Sequence, residues 1–272
     1  MSAAPLSRQY RTAFVTGAST GLGRAFADML LAEGIEVWGT ARDPRRLAPQ
    51  ARFHPVVLEL GDGVAAERVF QEAARDAGGF DVVINNAGFG VFGDFAATDF
   101  GVWQRQYEIM LLNTARLSQV ALRGMLVRRK GALVNISSLA AEYPMPFQSV
   151  YNSVKAGLSA LNESLMFETG GTGVIVIDFR PGDYRTDFDG SVQRPAGLAD
   201  PRQRRVWAAF RRLMESGPAP THAAEALRRA LARGRSATVR TGRPFQAAIA
   251  PFLARFGSLS LRRRIIARYF DL

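Results

Sequence analysis

The chain has 272 residues, 47% hydrophobic and 22% charged, a balance that excludes a disordered protein and permits a single α/β domain. It has no cysteine, which excludes a disulfide framework, a thiolate metal site and a cysteine nucleophile. The formal charge of +11 is uneven: residues 201–272 hold 16 arginines and three acids, so the basicity belongs to the last quarter. Met1–Tyr10 lacks the apolar segment of a secretory signal, and no apolar run reaches the roughly 18 residues a membrane span needs. A cytoplasmic protein is expected. Only two lysines occur, Lys130 and Lys155, against 33 arginines. Arginine has served for generic charge, so each lysine is a candidate for a lysine-specific role.

β-rich runs alternate with amphipathic helical stretches, the pattern of a parallel sheet covered on both faces. Thr12–Thr16 predicts the first strand, followed by a glycine loop and a helix to about Glu33. Ile35–Thr40 is the second strand, and Asp43-Pro44 reads as a helix cap with proline at the first helical position. Phe53–Leu60 is the third strand, with Asp62 capping a helix to about Asp76. Asp81–Asn85 is the fourth, and Thr98 opens a long helical region to about Arg129. Gly131–Ser137 is the fifth strand, before a helix from Ser149 to Thr169, and Gly173–Phe179 the sixth. Residues 183–200 read as a loop. Helices are expected over Arg202–Glu215 and from a Thr221 cap to Arg233, with Ala237–Thr241 as a seventh strand.

Thr16-Gly17-Ala18-Ser19-Thr20-Gly21-Leu22-Gly23 lies between a strand and a helix, where glycines let the backbone approach a pyrophosphate at the helix N-terminus. Its spacing departs from G-x-G-x-x-G, and an ordinary glycine-rich βα turn would read alike. The second strand ends Thr40-Ala41-Arg42, without the acid that usually binds the ribose hydroxyls of NAD. Arg42 can instead hold a 2′-phosphate, or be a solvated surface arginine.

Tyr151 and Lys155 stand four residues apart, on one helical face, where an ammonium can stabilise a phenolate for acid–base work. Ser138 ends the fifth strand, and Asn85-Asn86-Ala87-Gly88 the fourth, at the sheet edge where open α/β folds place their sites. With Asn113, Asn135-Ile136-Ser137-Ser138, Tyr151-Asn152-Ser153-Val154-Lys155 and Pro181-Gly182-Asp183-Tyr184-Arg185-Thr186, the sequence resembles the short-chain dehydrogenase/reductase family over residues 11–242.

The resemblance implies a single-domain Rossmann-type fold: a doubly wound, mostly parallel seven-stranded sheet with helices on both faces. It implies a catalytic tetrad of Asn113, Ser138, Tyr151 and Lys155. Tyr151 would exchange a proton with the reacting oxygen, Ser138 would position that oxygen, and Lys155 would bind the nicotinamide ribose and depress the Tyr151 pKa. Asn113 would distort its helix and hold a water leading to Lys155. The cofactor set comprises Gly17, Ser19, Thr20, Gly21, Leu22, Gly23, Arg42, Asn86, Ala87, Gly88, Tyr151, Lys155, Pro181, Gly182 and Thr186, with NADP(H) preferred over NAD(H). Asn86 and Gly88 would border the adenosine-side ribose. The chain departs from the family at Glu59, where many members carry an aspartate facing adenine, and at Thr20, where some NADP users carry a basic residue. A homo-oligomer is expected, and no metal.

Phe89, Val91, Phe92 and Phe95, then Tyr143, Met145, Pro146 and Phe147, make the expected substrate loops apolar, with Phe89, Phe92, Tyr143, Met145 and Phe147 the pocket candidates. They favour a ketone or secondary alcohol with an apolar body. The competing readings are a catalytically silent dinucleotide sensor and an epimerase or dehydratase. The arginines come without a nucleic-acid recognition motif, so no nucleic-acid partner is expected. Three parts are expected: a leader (1–10), the catalytic domain (11–242, with 183–216 as the substrate-loop region) and a basic amphipathic extension (243–272). In the extension Phe245, Ile249, Phe252 and Phe256 form one helical stripe ahead of Arg262-Arg263-Arg264. The stripe packs on the domain as a lid beside the substrate entrance, or docks on an anionic membrane.

Overall fold

The computed structural model describes residues 5–47, 49–195, 197, 200–251 and 258–272. Its strands are β1 (Thr12–Val15), β2 (Glu36–Ala41), β3 (Phe53–Val57), β4 (Val82–Asn85), β5 (Gly131–Ile136), β6 (Val174–Pro181) and β7 (Ala237–Thr241). All pair in parallel, in the order β3-β2-β1-β4-β5-β6-β7. The helices are α1 (Gly21–Ala32), α2 (Gly63–Asp76), α3 (Phe100–Tyr107), α4 (Asn113–Arg128), α5 (Ser149–Glu168), α6 (Pro201–Glu215), α7 (Pro220–Ala232) and α8 (Leu259–Tyr269). Alternate strand residues feed two cores. Ala13 and Val15 pack with Phe26 and Leu30 of α1 and Leu227 and Leu231 of α7, while Phe14 packs on the other face with Phe70 of α2 and Leu117 of α4. Central strands buried on both faces explain why β4 and β5 are apolar on both faces except at Asn85 and Asn135.

The expected fold is present, with local differences. β3, at the sheet edge, ends at Val57, and Leu58 and Leu60 beyond it line the cleft described below. The single helix expected from Thr98 is two helices parted by a π-helical turn, Glu108–Leu112. Its cap is Asp99, which accepts from Gly101 N at 2.8 Å, and Thr98 is buried. Thr221 caps nothing: α7 starts at Pro220, whose missing N–H needs no acceptor.

A hydrogen-bonded chain of polar side chains crosses the core. Asn85 of β4 donates to Asn135 of β5 at 2.8 Å, Asn135 to Asn162 of α5 at 2.6 Å, and Asn162 to Asp178 of β6 at 3.1 Å. Asp178 also accepts from Ser137, from Ser159 at 2.5 Å and from Arg180 Nε at 2.7 Å, and Arg180 reaches on to Glu142. A third apolar cluster brings Ile266, Tyr269 and Phe270 of the extension against Trp207 and Phe210 of α6. The start of the predicted stripe is not buried: Phe245 and Ile249 are 42% and 50% exposed, and Phe252 and Phe256 lie outside the described residues. Among the described residues no helix is long and apolar enough to cross a membrane.

Removing one side of a buried ion pair strands the other, at about 3–5 kcal/mol. Asp178→Ala is therefore expected to lower the unfolding free energy by that order, read from the urea midpoint at unchanged m-value.

Candidate active site

The carboxyl ends of the strands open into a cleft of about 1240 Å³ that runs from the glycine loop to α8. At one end Gly17 and Gly21 have φ of +67° and +56°, in the left-handed region that favours glycine. A Cβ on Gly23 would lie 2.1 Å from Gly17 O, so the third glycine is required by packing. Asn86 braces this loop, its Nδ2 donating to Thr16 O at 3.0 Å, while Thr16 Oγ1 accepts from Asn86 N and Ala87 N at 2.8 and 2.9 Å. The amide expected at the ribose is thus spent on the loop, although Asn86, Ala87 and Gly88 do line the cleft. Thr20, at the N-cap of α1, makes no side-chain capping bond. Free amides above a glycine cradle fit a pyrophosphate.

At the end of β2, Thr40 Oγ1 accepts from Gly17 N at 3.2 Å. Asp43 accepts from Arg45 N at 3.0 Å and pairs with the Arg45 guanidinium, which holds its carboxyl below the usual range. It is a helix cap, as its proline neighbour indicates. Arg42 is exposed on the cleft wall and has no ion-pair partner among the described residues. Glu59 also lines the cleft, its Oε1 accepting from Gly61 N at 3.0 Å.

Ser138, Tyr151 and Lys155 meet midway along the cleft. Ser138 caps a short 3₁₀ turn after β5, its Oγ accepting from Ala140 N at 3.0 Å. Tyr151 and Lys155 lie on successive turns of α5, with Lys155 Nζ 5.6 Å from the phenol ring centroid and donating to Ile136 O at 2.7 Å. Burial dominates both side chains. It pushes Tyr151 up to about 12, against a Ser138 hydrogen bond that lowers it and an Asp183 charge that adds to the rise. It brings Lys155 down to about 8, partly offset by Asp178. The phenol pKa is thus raised here, where the resemblance implied a depression by Lys155, because burial penalises the phenolate.

Asn113 does not join them. Its Nδ2 donates to Leu60 O at 2.7 Å, and its Oδ1 lies where a Cβ on Gly63 would fall, so the side chain ties α4 to the start of α2 outside the cleft. The residues that reach the cleft from the π turn are Ile109 and Met110, and Met110 Sδ lies 3.4 Å from Phe89 N. The pocket candidates divide. Phe89, Tyr143 and Met145 line the cleft, whereas Phe92 is wholly buried against Phe147 and Trp207, and neither Phe92 nor Phe147 reaches the cleft. Val91 is core and Phe95 is exposed. Sequence reasoning missed Phe188, Phe210, Met214, Ile266 and Phe270 on the apolar wall, and Asp183 with Gln246 and Tyr269 at its edge. For Asp183 the signal was present: a carboxylate directly after Pro181-Gly182, inside a motif already assigned to the cleft. Thr186 is there too. Among the described residues no cluster of side chains suits a metal ion.

The family model described as short chain dehydrogenase matches residues 11–196. The chain belongs to the short-chain dehydrogenase/reductase family. This is a family of NAD(P)-dependent oxidoreductases acting on CH–OH groups. Over 190 residues the chain is 31% identical to a short chain dehydrogenase of Pseudocercospora fijiensis, the match covering 66% of this chain and 62% of that protein. Over 216 residues it is 30% identical to the 3-oxoacyl-[acyl-carrier-protein] reductase FabG of Vibrio cholerae, covering 74% and 88%. A solved short-chain dehydrogenase from Streptomyces avermitilis superposes with a TM-score of 0.82 at 28% identity, covering 95% of this chain and 98% of that one. That likeness extends beyond residue 196, where the family model stops.

A buried lysine whose pKa falls from 10.5 to about 8 opposes folding wherever the unfolded chain holds the proton more tightly. The penalty is complete below about pH 8 and vanishes as pH rises through 10.5. Lys155→Met is expected to melt at a higher temperature than wild type at neutral pH, with the gap narrowing from pH 8 to 10.5 in a thermal-shift series.

Proposed function

We propose that the protein is an NADP(H)-dependent reductase that interconverts a ketone or aldehyde and an alcohol on a mainly apolar small molecule, with Tyr151 as its general acid/base. The observation that carries this reading is the meeting of Ser138, Tyr151 and Lys155 between a glycine cradle and an apolar wall. The bound nicotinamide supplies or accepts the hydride. The chain supplies position and protons. Ser138 Oγ donates a hydrogen bond to the carbonyl oxygen and orients it. Tyr151, at about 12, is protonated throughout the physiological range and so stands ready to donate to the oxygen of a carbonyl undergoing reduction. Lys155 Nζ holds the ribose hydroxyls and keeps a positive charge near the phenol as it loses its proton. Met110, an apolar side chain, faces the cleft from the π turn, and Asn113 has no part in the chemistry.

The glycine loop, Ala87, Gly88, Gly182 and Thr186 hold the dinucleotide. Arg42 gives it a 2′-phosphate partner: an exposed guanidinium without an ion pair among the described residues, on the cleft wall beside an acid-free strand end. The extension serves as a lid, since Ile266 and Tyr269 of α8 and Phe270 just after it line the cleft.

Two experiments test the reading. Tyr151→Phe is expected to keep dinucleotide binding, measured by nicotinamide fluorescence, and to lose about 10²–10⁴-fold in turnover of apolar ketones with NADPH. Near-wild-type turnover removes the mechanism. Arg42→Ala is expected to weaken NADPH binding about 10- to 100-fold, the scale of a lost charge-assisted phosphate contact, with little change for NADH. Equal catalytic efficiency of the wild type with both coenzymes overturns the preference.

A further inference from the structure

Asp183 follows Pro181-Gly182 at the cleft end of β6, and the proton transfer above makes no use of it. One carboxylate oxygen is committed. Oδ2 accepts from Gln246 Nε2 at 2.5 Å and from Tyr269 OH at 3.0 Å, both donors belonging to the C-terminal extension. The other oxygen, Oδ1, has no donor among the described residues. Gln246 Oε1, buried against Gly182, has no donor either, so this corner holds acceptors in excess.

The charge is also poorly compensated. Burial raises the Asp183 carboxyl above its usual range, and Gln246, Tyr269 and the charge of Arg243 pull it only partly back. The Arg243 guanidinium is engaged elsewhere, on Ser216 O at 2.6 Å and Ser216 Oγ at 2.5 Å. Asp183 and Tyr151 line the same cleft, and the Asp183 charge adds to the rise of the phenol pKa. The same cleft is lined by the apolar Met145, Phe188, Phe210, Met214 and Phe270. A carboxylate among such groups is stabilised by a cation that brings its own hydrogen bonds.

We infer that the substrate carries a protonated amine near its reacting carbonyl, and that Asp183 Oδ1 accepts a hydrogen bond from that ammonium while the apolar wall holds the remainder. The inference rests on the reductase reading of the cleft and names the substrate class within it. An analogue lacking the amine leaves Asp183 open and unpaired, so discrimination exceeds what apolar contact alone provides.

The test is a comparison of octylamine with octanol as ligands of the full-length protein, by isothermal titration at neutral pH with and without NADP⁺. Wild type is expected to bind the amine about 10- to 100-fold more tightly than the alcohol, the range of a charge-assisted hydrogen bond. Asp183→Asn is expected to bring the two ligands within about threefold while leaving NADP⁺ affinity unchanged. Tyr269→Phe, which removes one donor from Oδ2, is expected to keep the preference. Equal binding of amine and alcohol by wild type overturns the inference whether or not any variant folds. So does a preference that survives Asp183→Asn, or a loss in that variant of NADP⁺ affinity alone. Failure of the underlying reading looks different: no NADPH-dependent reduction of any apolar ketone, with or without an amine, while octylamine still binds.

Discussion

The buried charge of Asp178 is the constraint on which the arrangement of the site depends. It accepts hydrogen bonds from Ser137, Ser159, Asn162 and Arg180, which belong to the end of β5, to α5 and to β6 itself. Ser137 immediately precedes Ser138, and Ser159 lies one helical turn beyond Lys155. A carboxylate that must satisfy all of these donors in the dry interior fixes the height of α5 against the sheet, and with it the distance from Ser138 to Tyr151 and Lys155. It also lends Lys155 part of the negative potential that offsets burial. The polar chain from Asn85 to Asp178 therefore acts on register: a slip of α5 by one residue would break it in several places at once.

Around this rigid centre the two ends of the cleft are built differently. The glycine end is backbone, held by the Thr16 hydroxyl and the Asn86 amide, and its shape is set by where a Cβ cannot fit. The opposite end is side chains, and much of it arrives late in the sequence. α8 packs on α6 through Ile266, Tyr269 and the following Phe270, and the Arg212–Asp271 pair at 2.5 Å adds a surface contact of small worth. The arginine-rich last quarter thus contributes to the cleft chiefly through the apolar residues between its charges.

The sheet was legible because its strands are β-branched runs that cannot be read as helix, and because Asp62, Asp43 and the glycine loop are local signals with local causes. Ser138, Tyr151 and Lys155 were legible because each sits at a fixed offset from a strand end or from one another on a helix. Asn113 was misread. It was placed by motif resemblance alone, and the π turn just before it presents Ile109 and Met110, not Asn113, to the cleft. Phe92 and Phe147 show a different limit. A loop phenylalanine is equally at home in a cleft wall or behind it, and the choice depends on Trp207, more than fifty residues away. The grip of Gln246 and Tyr269 on Asp183 is likewise a contact between remote segments that no local pattern announces.

The scarcity of lysine has a practical reach. Lys130 is a half-exposed surface group paired with Asp81 at 3.1 Å, whereas Lys155 is buried in the cleft with its pKa brought down to about 8. A neutral amine is a nucleophile and an ammonium is not, so the lowered pKa of Lys155 raises its reactivity in mildly alkaline buffer towards a small acylating reagent able to enter the cleft. A dinucleotide lying over it would shield it. Ordinary amine-labelling chemistry, usually uninformative on a protein with lysines everywhere, becomes on this chain a direct gauge of whether the site is filled.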